Sequence, residues 1–280
     1  MARPLAIVCA RLGAQLVRLV GNAMKIDCLM GTHGRASVAS EALACFLQQS
    51  VAAEATLLIY NQHPVPLYFE HPRVRVVNET LPPAPLRFIR QRMLELAHPA
   101  ADLIHWWDDD DLYLPWHLRD CLDNIGDLVA WKPQSSWMSS HNVTFLRASN
   151  FFEGSWMFRA DHVKAAPLDT HSTYTDHPVF IQTYEAGLLG TTELAALTSY
   201  IYRWAGDTQH VSGYGGECSE STQRARIQLW RARSQDVPPG GRLEPADMTL
   251  RWQQYLAGVD GLVTPEEKEV IRQRLGSMIA

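Results

Sequence analysis

Short apolar runs alternate with segments of helical period through the first half of the chain. Residues 26–30 read as a strand, and 37–49 as a helix whose Leu43, Phe46 and Leu47 form a buried stripe. Strands follow at 55–60 and 74–77, then a helix at about 86–97 and a strand at 102–107. Strands joined through helices run parallel with right-handed crossovers, so this half predicts an open α/β sheet that collects ligands at the carboxyl ends of its strands. The second half mixes short strands (129–132, 143–146, 155–158, 199–203) with a helix at about 178–186, read as sheet continuation plus insertions. Residues 234–242, with Pro238, Pro239, Gly240 and Gly241, form a loop before a helical tail over 243–280. In that tail Thr264, Pro265 and Glu267 predict an N-cap, an N1 proline and a capping-box glutamate for a helix ending near Leu275. Residues 1–23 carry Arg3, Arg11 and Arg18 without an acid. They read as a loosely attached extension, with a weak signal segment or an amphipathic membrane-surface segment as the alternatives, before a domain over 24–233.

Composition narrows the function. Across 280 residues, 46% are hydrophobic and 20% charged, which excludes a chain too polar to collapse. A net charge of -5 argues against a nucleic-acid partner, whose phosphates require a basic face. No apolar run reaches membrane-spanning length, leaving at most peripheral membrane contact. Cys9, Cys28, Cys45, Cys121 and Cys218 are scattered without a CxxC pair and read as free thiols, which fits a cytoplasmic protein.

The sharpest chemical feature is Asp108, Asp109, Asp110 and Asp111, directly after the apolar run ending Trp106-Trp107. Adjacent carboxylates repel one another unless a cation or solvent compensates. A charge run of this kind is either a solvated loop that caps the following helix or a cation site. Its position between a strand and a helix favours the cation: Mg2+ or Mn2+ takes one or two carboxylates and completes its shell with phosphate oxygens and water.

The string Ile104-His105-Trp106-Trp107-Asp108-Asp109-Asp110-Asp111-Leu112-Tyr113-Leu114-Pro115 resembles the DxD region of family 2 glycosyltransferases. That resemblance implies a GT-A fold: a Rossmann-like, open, mixed and mostly parallel sheet flanked by helices, here with a helical C-terminal tail. It implies Asp110 as the foremost ligand of Mn2+ or Mg2+, with Asp108 beside it and touching the donor's ribose or sugar. Gly31-Thr32-His33-Gly34-Arg35 is similar to the family segment bordering the nucleotide base, matching at Thr32 and Arg35. Asn61 stands where the family usually has a base-gripping aspartate, and Arg90-Gln91 where it often has Arg-Asn, so Asn61 and Arg90 are donor-binding candidates.

The resemblance extends to the acceptor side. Gly154 and Trp156, in Glu153-Gly154-Ser155-Trp156, match the strand lining the acceptor pocket; Trp156 is either a stacking face for a sugar or a core residue. Asp176, in Thr175-Asp176-His177-Pro178, corresponds to the general base of inverting members, with helix capping as the alternative. His210, on a Gly-rich segment, corresponds to a late histidine that meets metal or diphosphate, and is otherwise a surface residue. Arg203 is placed on phosphate or in a surface ion pair. The resemblance therefore implies an inverting, metal-dependent enzyme that moves one sugar from a nucleotide-diphosphate donor, foremost a UDP-sugar, to a saccharide or lipid-linked acceptor. The rival readings are a nucleotidyltransferase or other metal-dependent phosphate enzyme, a non-catalytic nucleotide-sugar binder, and a zinc site among His171, Asp176 and His177.

Overall fold

The computed structural model describes residues 24–51, 55–80, 86–140, 144–150, 152–166, 178–192, 198–204 and 236–279. Its elements run β1 (Ile26–Thr32), α1 (Ala36–Leu47), β2 (Ala55–Asn61), β3 (Val74–Asn78), α2 (Leu86–Leu96), β4 (Leu103–Trp106), β5 (Leu112–Tyr113) and α3 (His117–Ile125). There follow β6 (Ala130–Pro133), β7 (Ser135–Ser140), β8 (Thr144–Ser149), β9 (Met157–Arg159), α4 (Ala160–Ala165), α5 (Val179–Glu185), β10 (Leu189–Thr192), β11 (Tyr200–Trp204), α6 (Thr249–Gly258) and α7 (Pro265–Leu275).

Seven strands form the main sheet in the order β10-β6-β9-β4-β1-β2-β3. All neighbours pair parallel except β9, which runs against both β4 and β6. Side chains alternate between two apolar layers: Ile26, Cys28 and Met30 face one, Leu29 the other, and β2 repeats the pattern with Leu57 and Ile59 against Leu58 and Tyr60. Burial on both faces is why these strands read as unbroken apolar runs.

The second half departs from simple continuation of that sheet. The strands expected to extend it over 143–146 and 199–203 have their counterparts in β8 (Thr144–Ser149) and β11 (Tyr200–Trp204), which belong instead to a separate four-stranded sheet ordered β5-β11-β7-β8. The expected strand over 155–158 begins later, because Glu153–Ser155 winds into a 3-10 turn ahead of β9. In the tail, Met248, Trp252, Tyr255, Ile271 and Leu275 pack into the same apolar layer as α1. The capping box at α7 forms as the sequence predicts: Thr264 Oγ1 accepts from Glu267 N at 3.2 Å and Glu267 Oε2 accepts from Thr264 N at 2.8 Å. The N-terminus of α1 is served from far along the chain, with Ser37 N donating to Asp236 Oδ2 at 2.9 Å. Cys28, Cys45 and Cys121 are free and buried. No helix among the described residues is long and apolar enough to cross a membrane.

Candidate donor site at the carboxyl rim of the sheet

Parallel pairing of β1, β2, β3 and β4 brings Thr32, Asn61, Asn78 and Trp106 to one rim, and the acidic turn 108–111 leaves β4 there. Reversal of β9 delivers its first residues, with the turn Glu153–Ser155, to the same rim. The turn is anchored by Asn150, whose Nδ2 donates to Pro133 O at 2.8 Å and to Ser155 Oγ at 2.7 Å, while its Oδ1 accepts from Phe152 N at 3.0 Å.

Each carboxylate of the cluster has its own environment. Asp109 and Asp110 share the Arg35 guanidinium: Nη1 donates to Asp110 Oδ2 at 2.8 Å and Nη2 to Asp109 Oδ1. Asp111 is buried and accepts from the Tyr200 hydroxyl and, at 2.9 Å, from Arg203 N. Asp108 is the open member, with 36% of its side chain exposed; its Oδ1 lies 3.4 Å from Arg90 Nη2. Arg90 also donates to Glu153 Oε2 at 3.1 Å, and its guanidinium lies over Trp106 and Phe180 at 5.2 and 4.9 Å from the ring centroids.

Below the turn, Tyr113 stacks on Trp107 at 3.7 Å. Its hydroxyl accepts from Asp108 N at 2.7 Å and donates to Gly154 O at 3.1 Å, so one phenol ties the acidic turn to the β9 turn. The fit leaves no room at Gly154: an added Cβ would stand 2.4 Å from Asp108 Oδ2 and 3.0 Å from the Tyr200 hydroxyl.

Burial pushes the Asp109 carboxyl up to about 7; Arg35 pulls it down and Asp110 adds to the rise. Burial alone would weaken the Arg35 charge, but Asp109 and Asp110 outweigh it and hold the guanidinium firmly protonated. The hard oxygens of Asp108 and Asp110 fit a divalent cation that takes one or two carboxylates, and the exposure of Asp108 leaves a side open for other ligands.

The remaining expected residues are distributed unevenly. Thr32 is buried at the end of β1 against Asp109. Asn61 is turned inward: its Nδ2 donates to Val65 O at 3.0 Å and Asn78 Oδ1 at 2.8 Å, and its Oδ1 accepts from His63 N. Arg203 is buried, with Nε on the Asp110 carbonyl and Nη1 on Glu41, which also takes Arg251 Nε at 2.7 Å. Trp156 is 5% exposed and packs on Phe158 and Phe180. Asp176 and His210, together with His171 and His177 of the alternative zinc reading, lie outside the described residues. Among the described residues, His105, His117 and Cys121 bring metal-capable atoms together. The two histidine Nε2 atoms there stand 2.8 Å apart, the separation of a hydrogen bond, and His117 Nδ1 is 3.0 Å from Ser199 Oγ.

Glu41, Tyr113, Tyr200, Glu153 and Asn150 belong to this site without having been singled out for it. Glu41 had a signal, being the one charged residue of α1, whereas the others show their roles only once β9 and β11 are placed.

No protein-family model matches the chain, and no curated protein sequence does. Solved structures do align over most of it. TarS residues 1–349 from S. aureus aligns with a TM-score of 0.50 at 14% identity, covering 91% of this chain and 88% of that one. The same protein in complex with UDP-GlcNAc gives 0.52 at 13% identity over 91% and 88%. The mannosyltransferase PcManGT from Pyrobaculum calidifontis, in complex with GDP-Man and Mn2+, gives 0.50 at 12% identity over 96% and 89%. This chain has the GT-A fold of nucleotide-sugar glycosyltransferases. At such identities the likeness speaks for architecture, and the chemistry rests on the residues at the rim.

Proposed function

We propose that this protein is an inverting glycosyltransferase that moves one sugar from a nucleotide-diphosphate donor to an acceptor hydroxyl. The observation that carries the reading is the half-open Asp108 carboxylate beside Asp110 at the carboxyl rim of β4, in a turn clamped by Arg35, Arg90, Tyr113 and Tyr200. The donor class is supported by UDP-GlcNAc in the TarS complex and GDP-Man in the PcManGT complex. A UDP-sugar is the first candidate, and a saccharide or lipid-linked alcohol the acceptor. Buried free thiols at Cys28, Cys45 and Cys121 support a cytoplasmic setting.

Asp108 and Asp110 would hold Mn2+ or Mg2+, which when bound supplies Lewis-acid relief of the charge on the departing diphosphate. Arg90 and the Tyr113 hydroxyl keep Asp108 in place for the donor, and Tyr200 and Arg203 keep Asp111 from swinging into the cleft. Asp176 takes the proton of the acceptor hydroxyl as sugar C1 is attacked from the face opposite the diphosphate, a role assigned on resemblance, as is the meeting of His210 with metal or diphosphate. Gly154 and the β9 turn border the acceptor side.

The test is a thermal-shift screen of UDP, UDP-sugars and GDP-sugars with and without Mn2+. A ligand at a hundred times its Kd stabilises the native state by about 2.7 kcal/mol. Asp110→Asn is expected to keep the fold and lose the Mn2+-dependent part of that shift; an undiminished shift refutes the assignment. Release of nucleoside diphosphate identifies a transferase, whereas pyrophosphate identifies a nucleotidyltransferase.

A further inference from the structure

Arg35 occupies the atoms a donor cation would want. Its guanidinium spans Asp109 Oδ1 and Asp110 Oδ2, and the three side chains are 12%, 3% and 10% exposed. Its backbone is pinned on both sides: Asp236 N donates to Gly34 O at 3.0 Å, and Ser37 N donates to Asp236 Oδ2 at 2.9 Å. Asp109 is the more enclosed of the two and serves as the anchor of the guanidinium, whereas Asp110 is the more accessible and stands two residues from the exposed Asp108.

We propose that Arg35 is the resident cation of the donor-metal site, holding Asp110 until a divalent ion and a nucleotide diphosphate arrive together and take its place there. This rests on the functional reading above and goes beyond it by giving the order of affinities. A divalent ion alone would have to share Asp110 with a guanidinium, and the two positive charges repel at close range. A diphosphate brings the negative charge that offsets both, so each ligand tightens the other by the same factor.

The experiment measures free Mn2+ by electron paramagnetic resonance in titrations of the full chain, with and without UDP, for wild type, Arg35→Gln, Arg35→Lys and Asp110→Asn. Wild type is expected to bind Mn2+ weakly alone and much more tightly with UDP. Arg35→Gln should bind Mn2+ alone at least tenfold more tightly, with the enhancement by UDP reduced by a similar factor. Arg35→Lys keeps the charge and should stay within threefold of wild type for Mn2+ alone, which separates charge from general loosening of the turn. If Asp110→Asn abolishes Mn2+ binding while Arg35→Gln binds no tighter than wild type, the role given to Arg35 is wrong and the donor site stands. A tenfold tightening in Arg35→Lys as well would also overturn it. If Asp110→Asn binds Mn2+ as wild type does, or wild type binds none even with UDP, the donor-site reading itself falls.

Discussion

Replacing Gly154 with alanine tests the proposed donor site apart from the fold that carries it. The new Cβ would stand 2.4 Å from Asp108 Oδ2 and 3.0 Å from the Tyr200 hydroxyl. Ordinary contact begins near 3.5 Å, so the carboxylate must retreat by about 1 Å. It is the free end of a side chain with 36% exposure and can retreat into solvent, while the buried Tyr200 hydroxyl must give by only a few tenths of an ångström, so the stability cost is about 1 to 2 kcal/mol. A binding constellation, by contrast, tolerates displacements of only about 0.5 Å. Gly154→Ala is therefore expected to weaken Mn2+-dependent UDP binding by roughly tenfold to a hundredfold, about 1.4 to 2.8 kcal/mol. Calorimetric titration of UDP in the presence of Mn2+ reads the binding, and urea denaturation reads the stability. Binding within twofold of wild type would refute the claim that Asp108, held against Gly154, contributes to the donor site.

The buried ion pairs and histidines make two further expectations. Glu41→Ala removes the carboxylate that the buried Arg203 shares with Arg251; a loss of about 3 kcal/mol is expected by urea denaturation, and unchanged stability would show the two pairs to be idle. Burial lowers the His105 imidazole to about 3, so it stays neutral in the folded protein while the unfolded chain takes up a proton below about 6.5. Its depressed value makes native stability fall with falling pH through that window, by about 2 kcal/mol between pH 7 and pH 5 from this group alone. His105→Gln should reduce the pH 7 to pH 5 stability difference by that amount, and an identical difference in the variant would contradict the burial argument.

What the sequence shows of this fold follows from which interactions are local. Strands β1, β2 and β4 bury both faces, so their apolar runs stand out, and the acidic turn is visible because it interrupts one of them. The capping box at Thr264 is equally plain, since both of its hydrogen bonds close within four residues. The second sheet is not legible: β5 is two residues long, and β7 is rich in serine and lies between β8 and β11, the latter arriving from far along the chain. At the site, the four aspartates announce their position but not their different fates. Those fates depend on Arg35, Arg90 and the β11 pair Tyr200 and Arg203, contributed by three separate stretches of chain. Asn61 illustrates the same limit, since a residue at the end of a rim strand spends its amide on its own loop.

The backward course of β9 gives this architecture room to change. Because the strand opens at the rim where its neighbours finish, residues lengthened or swapped in the Glu153–Ser155 turn reshape that rim while every parallel crossover beneath keeps its length. The rim can thus be remodelled on a constant scaffold through a stretch of only a few residues.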